Sequence, residues 1–181
     1  DWGGKRESTV LVSGEKLPAP SSAMMNSFLM HNQEFDCVHD LAVVHAFTTV
    51  LPVAIAVAEA QGGVTGREFL IAVALGVDVA SSIGISSRSP IAHFRPGTAG
   101  AFGAVAAAGK IAGFDQATLS NAMGIVYSQI CGTLQRHSEG AQVNSMQTGF
   151  NARAAVTGIS LAAQGIQGAS EVLEGRYGYF R

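Results

Sequence analysis

The chain has 181 residues, of which 48% are hydrophobic and 13% charged, with a formal net charge of -2. That length supports one domain with a substantial core, and the absence of a basic run or of basic-aromatic interleaving argues against a nucleic-acid partner. Cys37 and Cys131 lie far apart with no CxxC pairing, which argues against a disulfide scaffold or zinc site and for a reducing compartment, the cytoplasm.

Residues 1–20 read as extended. Ser8-Thr-Val-Leu-Val-Ser13 alternates like a short strand, punctuated by Gly14, Pro18 and Pro20. A helix is predicted from Ser21 or Ser22 to His31, followed by a polar loop. A second helix covers about residues 48–61, with Pro52 in or near its first turn, where a missing N–H does least harm. Gly62-Gly63 ends it. Thr65-Gly-Arg-Glu68 is a capping-box pattern that opens a helix running to about Ile83. Residues 86–97 read as a loop with Arg88, Pro90, His93 and Arg95. From Thr98 to Ala112 a helix rich in small residues would let neighbours approach at Gly100, Gly103, Ala104, Ala107 and Ala108. Asp115 caps a helix to about Ile130. A polar loop over residues 132–144 precedes a helix over about 145–164, which Gly165 ends; residues 169–174 form a short last turn.

Six helices, almost no strand and short connections predict an all-α, antiparallel helical bundle-like domain. The apolar run over residues 41–58 holds His45, Thr48, Thr49 and Pro52 and is rich in alanine, so it is not read as a membrane span. No secretory signal is visible. The glycine-containing stretches do not follow predicted strands, so no dinucleotide fingerprint is present. The polar first residues and the ending at Gly178-Tyr-Phe-Arg181 read as those of a piece of a longer protein.

Chemistry-bearing residues gather in three loops. The first runs His31-Asn-Gln-Glu34-Phe35-Asp36-Cys37-Val38-His39-Asp40, with His45 beyond it. Imidazoles and carboxylates are the usual movers of protons near neutral pH. The second loop carries Arg88, His93 and Arg95; the third carries Gln135, Arg136, His137, Glu139, Gln142 and Asn144. A bundle could gather these connections at one end, with arginines for carboxylates and His/Asp for proton transfer. Solvated loops with surface salt bridges are the plainer alternative. A two-His-one-carboxylate set can be drawn from His31, Glu34, His39 and His45, but no spacing matches a metal signature, and no metal is assigned. No nucleophile elbow is present, and neither cysteine lies in a nucleophile pattern.

Taken together, several segments resemble the MmgE/PrpD family, the 2-methylcitrate dehydratases, which includes cis-aconitate decarboxylase and an iminodisuccinate epimerase. They are Asn26-Ser-Phe-Leu-Met-His31-Asn-Gln-Glu34-Phe35-Asp36-Cys37, then His45 before Leu51-Pro-Val-Ala-Ile-Ala-Val-Ala-Glu59. Phe94-Arg95-Pro96-Gly97-Thr98 with its small-residue continuation, Gly149-Phe-Asn-Ala-Arg153 onward, and Val172-Leu-Glu-Gly175-Arg-Tyr-Gly-Tyr-Phe180 follow in the family's order. The resemblance covers nearly the whole chain. Four positions depart from it. Glu34 stands where the family has Asp, Cys37 where it has another Asp, Arg95 where it has His (or that His is displaced to His93), and Asn144 where a lysine is expected.

The resemblance implies that residues 1–181 are most of a helical domain, without its first helices or the family's smaller α/β domain. It also implies a homodimer and a cofactor-independent lyase or isomerase. Such an enzyme removes a proton alpha to a carboxylate of a small di- or tricarboxylic acid, then loses water or carbon dioxide, or reprotonates. His45 is the first candidate for general acid or base, oriented by Glu34 or Asp36, with His31 and His39 as secondary candidates. Arg88, His93, Arg95 and Asn144 are the candidates for substrate binding. The alternative from another class is a catalytically silent helical interaction module.

Overall fold

A computed structural model describes residues 3–88 and 93–181. It is an all-α domain with one small ribbon. The helices are α1 (Ala19–His31), α2 (Phe47–Ala60), α3 (Gly66–Ser86), α4 (Arg95–Ile111), α5 (Gln116–Tyr127), α6 (Gln135–Glu139) and α7 (Asn144–Ala163). β1 (Ser8–Thr9) and β2 (Lys16–Leu17) pair antiparallel, with Ser8 opposite Leu17.

The bundle is organised around α4. Every residue from Arg95 to Gly109 is buried, as expected of a helix that is apolar all round. Its neighbours α2, α3, α5 and α7 come close because glycines on α4 leave room for them. A Cβ added at Gly97 would lie 2.6 Å from Asn151 Nδ2 on α7, at Gly100 2.9 Å from Thr49 Oγ1 on α2, and at Gly109 2.7 Å from Leu119 on α5. On the fourth side Gly103 faces Gly76 of α3, where a Cβ on Gly76 would lie 2.6 Å from the Gly103 carbonyl oxygen. Phe102 is the largest fully buried side chain in this core. α1 packs on α7 and α2.

Local signals set the helix starts. Thr65 and Glu68 form the reciprocal capping box at α3, and the Asp115 carboxylate accepts the Thr118 N–H at 2.8 Å at the start of α5. Pro20 and Pro96 sit in the first turns of α1 and α4, so both helices begin earlier than the sequence suggests. Arg95 therefore lies inside α4, not in a loop. The region expected to be loop over residues 132–144 contains α6, while residues 169–174 include the expected short turn. The expected strand shortens to two residues, because Val10–Gly14 turn back on themselves with Gly14 N–H donating to the Val10 carbonyl at 2.8 Å. The part of the expected loop around Pro90 lies outside the described residues.

The ribbon is clipped to the bundle by polar contacts. Glu59 of α2 accepts the Thr9 N–H at 2.5 Å and the Thr9 hydroxyl at 2.9 Å, and Lys16 lies 3.2 Å from it. Burial raises the Glu59 pKa, but the Thr9 and Lys16 contacts outweigh it and hold the carboxyl below its ordinary value. Asn26 of α1 accepts from the Leu11 N–H at 2.9 Å and donates to the Thr9 carbonyl at 2.8 Å.

The apolar run over residues 41–58 is divided between a loop and α2. α3 is the described helix that is long and apolar enough, by length and composition, to cross a membrane. One face of it packs on α4 through the Gly76–Gly103 contact. The other presents Leu70, Ile71, Leu75 and Ile85 to solvent.

Candidate active site

The loop between α1 and α2 doubles back on itself. His39 N–H donates to the Val44 carbonyl and Val43 N–H to the His39 carbonyl, both at 2.9 Å. This fold-back delivers His45 to the end of α1, where His31 is 1% exposed. Asp36 lies between the two rings. Its Oδ1 is 3.2 Å from His31 Nδ1 and its Oδ2 is 2.8 Å from His45 Nδ1. The rings themselves meet edge-on, with centroids 5.0 Å apart.

An ionised carboxylate can only accept hydrogen bonds. Both imidazoles therefore present Nδ1–H to Asp36, which leaves the lone pair of each on Nε2. The two Nε2 atoms have different surroundings. That of His31 is buried without a hydrogen-bond partner and lies 4.0 Å from Glu34 Oε1. Burial, the strongest influence, pushes the His31 pKa below 6.5; Asp36 pulls it upward without overcoming that effect, His45 adds to the lowering and Glu34 opposes it. His45 keeps 22% side-chain exposure and can meet a ligand. The three side chains also offer donor atoms within 4.8 Å of one another, a set that could hold a metal ion. In this geometry those donors are joined to each other by hydrogen bonds.

Glu34 and Val43 both take left-handed backbone angles, each with φ of 53°. Such angles are uncommon for non-glycine residues, and for a β-branched one they are strained. The two flank Asp36 in the sequence and shape the turn that presents it.

A cleft of about 980 Å³ opens beside Glu34, walled by Asn32, Asn144, Arg136, His137 and Gln142. Asn144, in the first turn of α7, donates its side-chain N–H to Glu34 Oε1. Behind the cleft, buried polar side chains of α7 brace the segment that precedes α6. Asn151 binds the backbone of Cys131 through both its amide atoms, at 3.2 and 2.8 Å, and Gln147 Oε1 accepts the Thr133 N–H at 2.8 Å. These clamps fix the segment leading into α6. They leave Arg136 with its guanidinium 5.0 Å from the centre of the Phe94 ring, which in turn lies 5.8 Å from the His31 ring.

Among the sequence-derived candidates, His31, Glu34, Asp36, His45 and Asn144 thus come together. The others lie elsewhere. His39 is exposed, takes the Ala42 N–H on its Nδ1 at 3.3 Å, and lines an apolar groove with Phe47, Leu70 and Ile85. His93 is exposed and lines a pocket with Thr98, Cys131 and Tyr179. Arg88 is exposed beyond the end of α3. Arg95 is buried, and its guanidinium donates to the Ala42 carbonyl at 3.4 Å and to the Ser87 carbonyl at 3.2 Å. It ties the loop preceding His45 to the end of α3. Arg136 was visible in sequence only as a member of a polar loop. Its approach to Phe94 is a tertiary contact that no local pattern announces.

The described residues thus form an all-α domain in which His31 at the end of α1 and Asp36 and His45 in the following loop make a hydrogen-bonded cluster, joined through Glu34 to a polar cleft; such groups are the usual carriers of acid–base chemistry. The chain belongs to the MmgE/PrpD family: the model of its N-terminal domain matches residues 1–181. Among curated relatives, cis-aconitate decarboxylase of Aspergillus terreus is 32% identical over 179 residues, covering 94% of this chain and 36% of that protein. The cis-aconitate decarboxylase-like protein oryM of Aspergillus oryzae is 29% identical over 170 residues, covering 88% of this chain and 35% of that protein. The chain therefore spans about a third of the length of these relatives, and its family is one of lyase-type enzymes.

Proposed function

We propose that the protein is a lyase of the dehydratase type, acting on a small di- or tricarboxylic acid by abstraction of a proton alpha to a carboxylate. The observation that carries this reading is the Asp36 bridge between His31 and His45. It holds His45 as the Nδ1–H tautomer with a basic Nε2, the arrangement a general base needs. The partly exposed ring takes the proton, and Asp36 stabilises the imidazolium that results. Negative charge then develops on the substrate carboxylate as an enediolate and must be met by fixed donors. Asn144 stands at the cleft, which supports a substrate-binding role for it. Arg95 acts through the loop it anchors. Protonation of the leaving group needs an acid near the ring, a role open to Glu34 of the adjoining cleft.

A continuous chain of contacts supports an enzyme over a silent interaction module: Asp36 joins His31 and His45, His31 lies 4.0 Å from Glu34, and Glu34 and Asn144 line the adjoining cleft. Reprotonation instead of loss of a leaving group would make the same site an isomerase. On the resemblance, the whole protein is further proposed to be a cofactor-independent, cytoplasmic homodimer of which residues 1–181 are most of the helical domain. Light scattering on the full-length protein reads the oligomeric state.

The test is solvent deuterium exchange into a panel of di- and tricarboxylates by the full-length protein, followed by NMR. Label alpha to a carboxylate, or a new alkene, is expected. His45→Ala should lower turnover by about 10²–10⁴-fold with the fold retained, and Asp36→Asn should also lower it by releasing the tautomer. Near-normal turnover in a folded His45→Ala variant would sink the assignment.

A further inference from the structure

The cleft beside Glu34 has an acidic and an amide wall, yet a substrate with carboxylates needs a cation there. Among the described lining residues, Arg136 is the only arginine or lysine. It is on the second residue of α6, which the Gln147 and Asn151 clamps hold in place. Its guanidinium lies over the buried Phe94 ring at 5.0 Å, and that ring contacts His31, so the cation is connected by packing to the His–Asp–His cluster. Stacking on an aromatic face orients a planar guanidinium while leaving its edge N–H groups available.

Among the described residues, its charge is not answered in the way a structural arginine's is. Among the described residues no carboxylate lies within 4.0 Å of it. Glu34 acts on it only at longer range, its carboxylate being held instead by Asn144. Arg136 Nε is buried with no hydrogen-bond partner. Partial burial lowers the Arg136 pKa, while Glu34 opposes the change. A partly buried, pre-oriented fork with donors to spare suits one ligand chemistry, a carboxylate bound through two parallel N–H···O bonds.

We propose that Arg136, poised on Phe94 over this cleft, is the residue that binds and orients a carboxylate of the substrate. The proposal rests on the acid–base reading of the His31–Asp36–His45 cluster given above. Its role is in binding and orientation, with no part in moving the proton. Neither composition nor local pattern singles it out from the other loop arginines, whereas the geometry does.

The experiment uses the full-length protein and compares wild type, Arg136→Gln, Arg136→Met, Arg136→Lys and His45→Ala. Binding of succinate and of tricarballylate is titrated calorimetrically, with inorganic phosphate as competitor, and deuterium exchange into the same acids gives KM and kcat. Arg136→Gln and Arg136→Met should weaken binding and raise KM by about 10- to 100-fold, the effect of losing a charge-assisted hydrogen bond. kcat should change much less. Arg136→Lys, which keeps the charge but not the fork, should recover part of the loss and also serves if the neutral variants fail to fold. His45→Ala should bind normally and exchange nothing. Wild-type affinity in folded Arg136→Gln or Arg136→Met, with exchange still abolished in His45→Ala, overturns the Arg136 proposal and leaves the acid–base reading intact. Phosphate competing as well as the acids also overturns it, by making the site an unselective anion site. A wild type that neither binds nor exchanges any of the acids removes the acid–base reading itself, and this proposal with it.

Discussion

Asp36 divides two similar histidines into different roles, and the difference has a signature in stability. His31 is buried, and its pKa in the folded protein lies below 6.5 because burial outweighs the attraction of Asp36. As pH falls through 6.5 the unfolded chain takes up this proton before the folded one does. The stability due to a neutral His31 is therefore complete above 6.5, declines as pH drops towards the lower folded value, and levels off beneath it. Urea unfolding from neutral to mildly acidic pH should show this slope, and His31→Gln should flatten it. An unchanged slope in His31→Gln would assign it to other groups. Val43 gives a second test at this scale. A left-handed conformation costs an L-residue about 1–2 kcal/mol, and glycine's extra backbone freedom costs about 0.5–1 kcal/mol. Val43 is 42% exposed, so little burial is lost on its removal. Val43→Gly should be neutral to slightly stabilising in the same assay, whereas a loss above about 2 kcal/mol would mean that its side chain holds the loop.

The helices are held by close approach more than by bulky side chains, and the contact of α3 with α4 is the clearest case. Alanine normally favours a helix over glycine by about 1 kcal/mol. At Gly103, however, a Cβ would run into the Gly76 carbonyl oxygen and meet the Ala80 Cβ at 2.8 Å. Overpacking of this kind costs about 1–3 kcal/mol. Gly103→Ala should therefore lower the unfolding free energy despite its better propensity, whereas a surface glycine-to-alanine change such as Gly66→Ala meets no such obstacle. A stabilised Gly103→Ala variant would show that the two helices can separate at little cost. The small-residue stripe that makes this contact was legible in sequence, as were the Thr65–Glu68 box and the Asp115 cap, because each depends on residues within a turn or two. α6 was not legible, since five polar residues have no hydrophobic period to read. The cluster was legible only as a list of His, Glu and Asp. What assembles it is the fold-back at Glu34 and Val43, where neither residue is a glycine that would mark a left-handed turn. The separation of Arg95 from the cleft, and the approach of Arg136 to it, depend on contacts between segments distant in the chain.

At the scale of the whole domain, the last residues close the core. Val172 is buried, and Tyr179 and Phe180 pack against the same cluster. The segment folds on itself, with Tyr179 N–H donating to the Val172 carbonyl at 2.8 Å and Phe180 N–H to the Leu173 carbonyl at 3.1 Å. It also reaches two helices at once. Tyr179 pairs its hydroxyl with Thr98 in α4 at 2.8 Å and sets its ring edge-on to Phe102, and the Tyr127 hydroxyl of α5 donates to the Tyr177 carbonyl. Burial raises the Tyr179 phenol pKa, which keeps it a hydrogen-bonding neutral group over the physiological range; Thr98 and Arg95 oppose the rise and Tyr127 adds to it. Tyr179→Phe removes only the hydroxyl bond and should cost about 1 kcal/mol. Tyr179→Ala removes the ring from beside Phe102 and should cost about 2–3 kcal/mol, less than a fully buried aromatic because part of the ring meets solvent. The loss should appear as one lowered transition, by circular dichroism and by exchange of the α4 amides alike, since the ring touches the helix around which the other helices pack. If only amides near residue 179 exchanged faster while the global midpoint held, the segment would be a detachable strap. The candidate site, which shares α4 through Phe94 and Arg95, would then be independent of it.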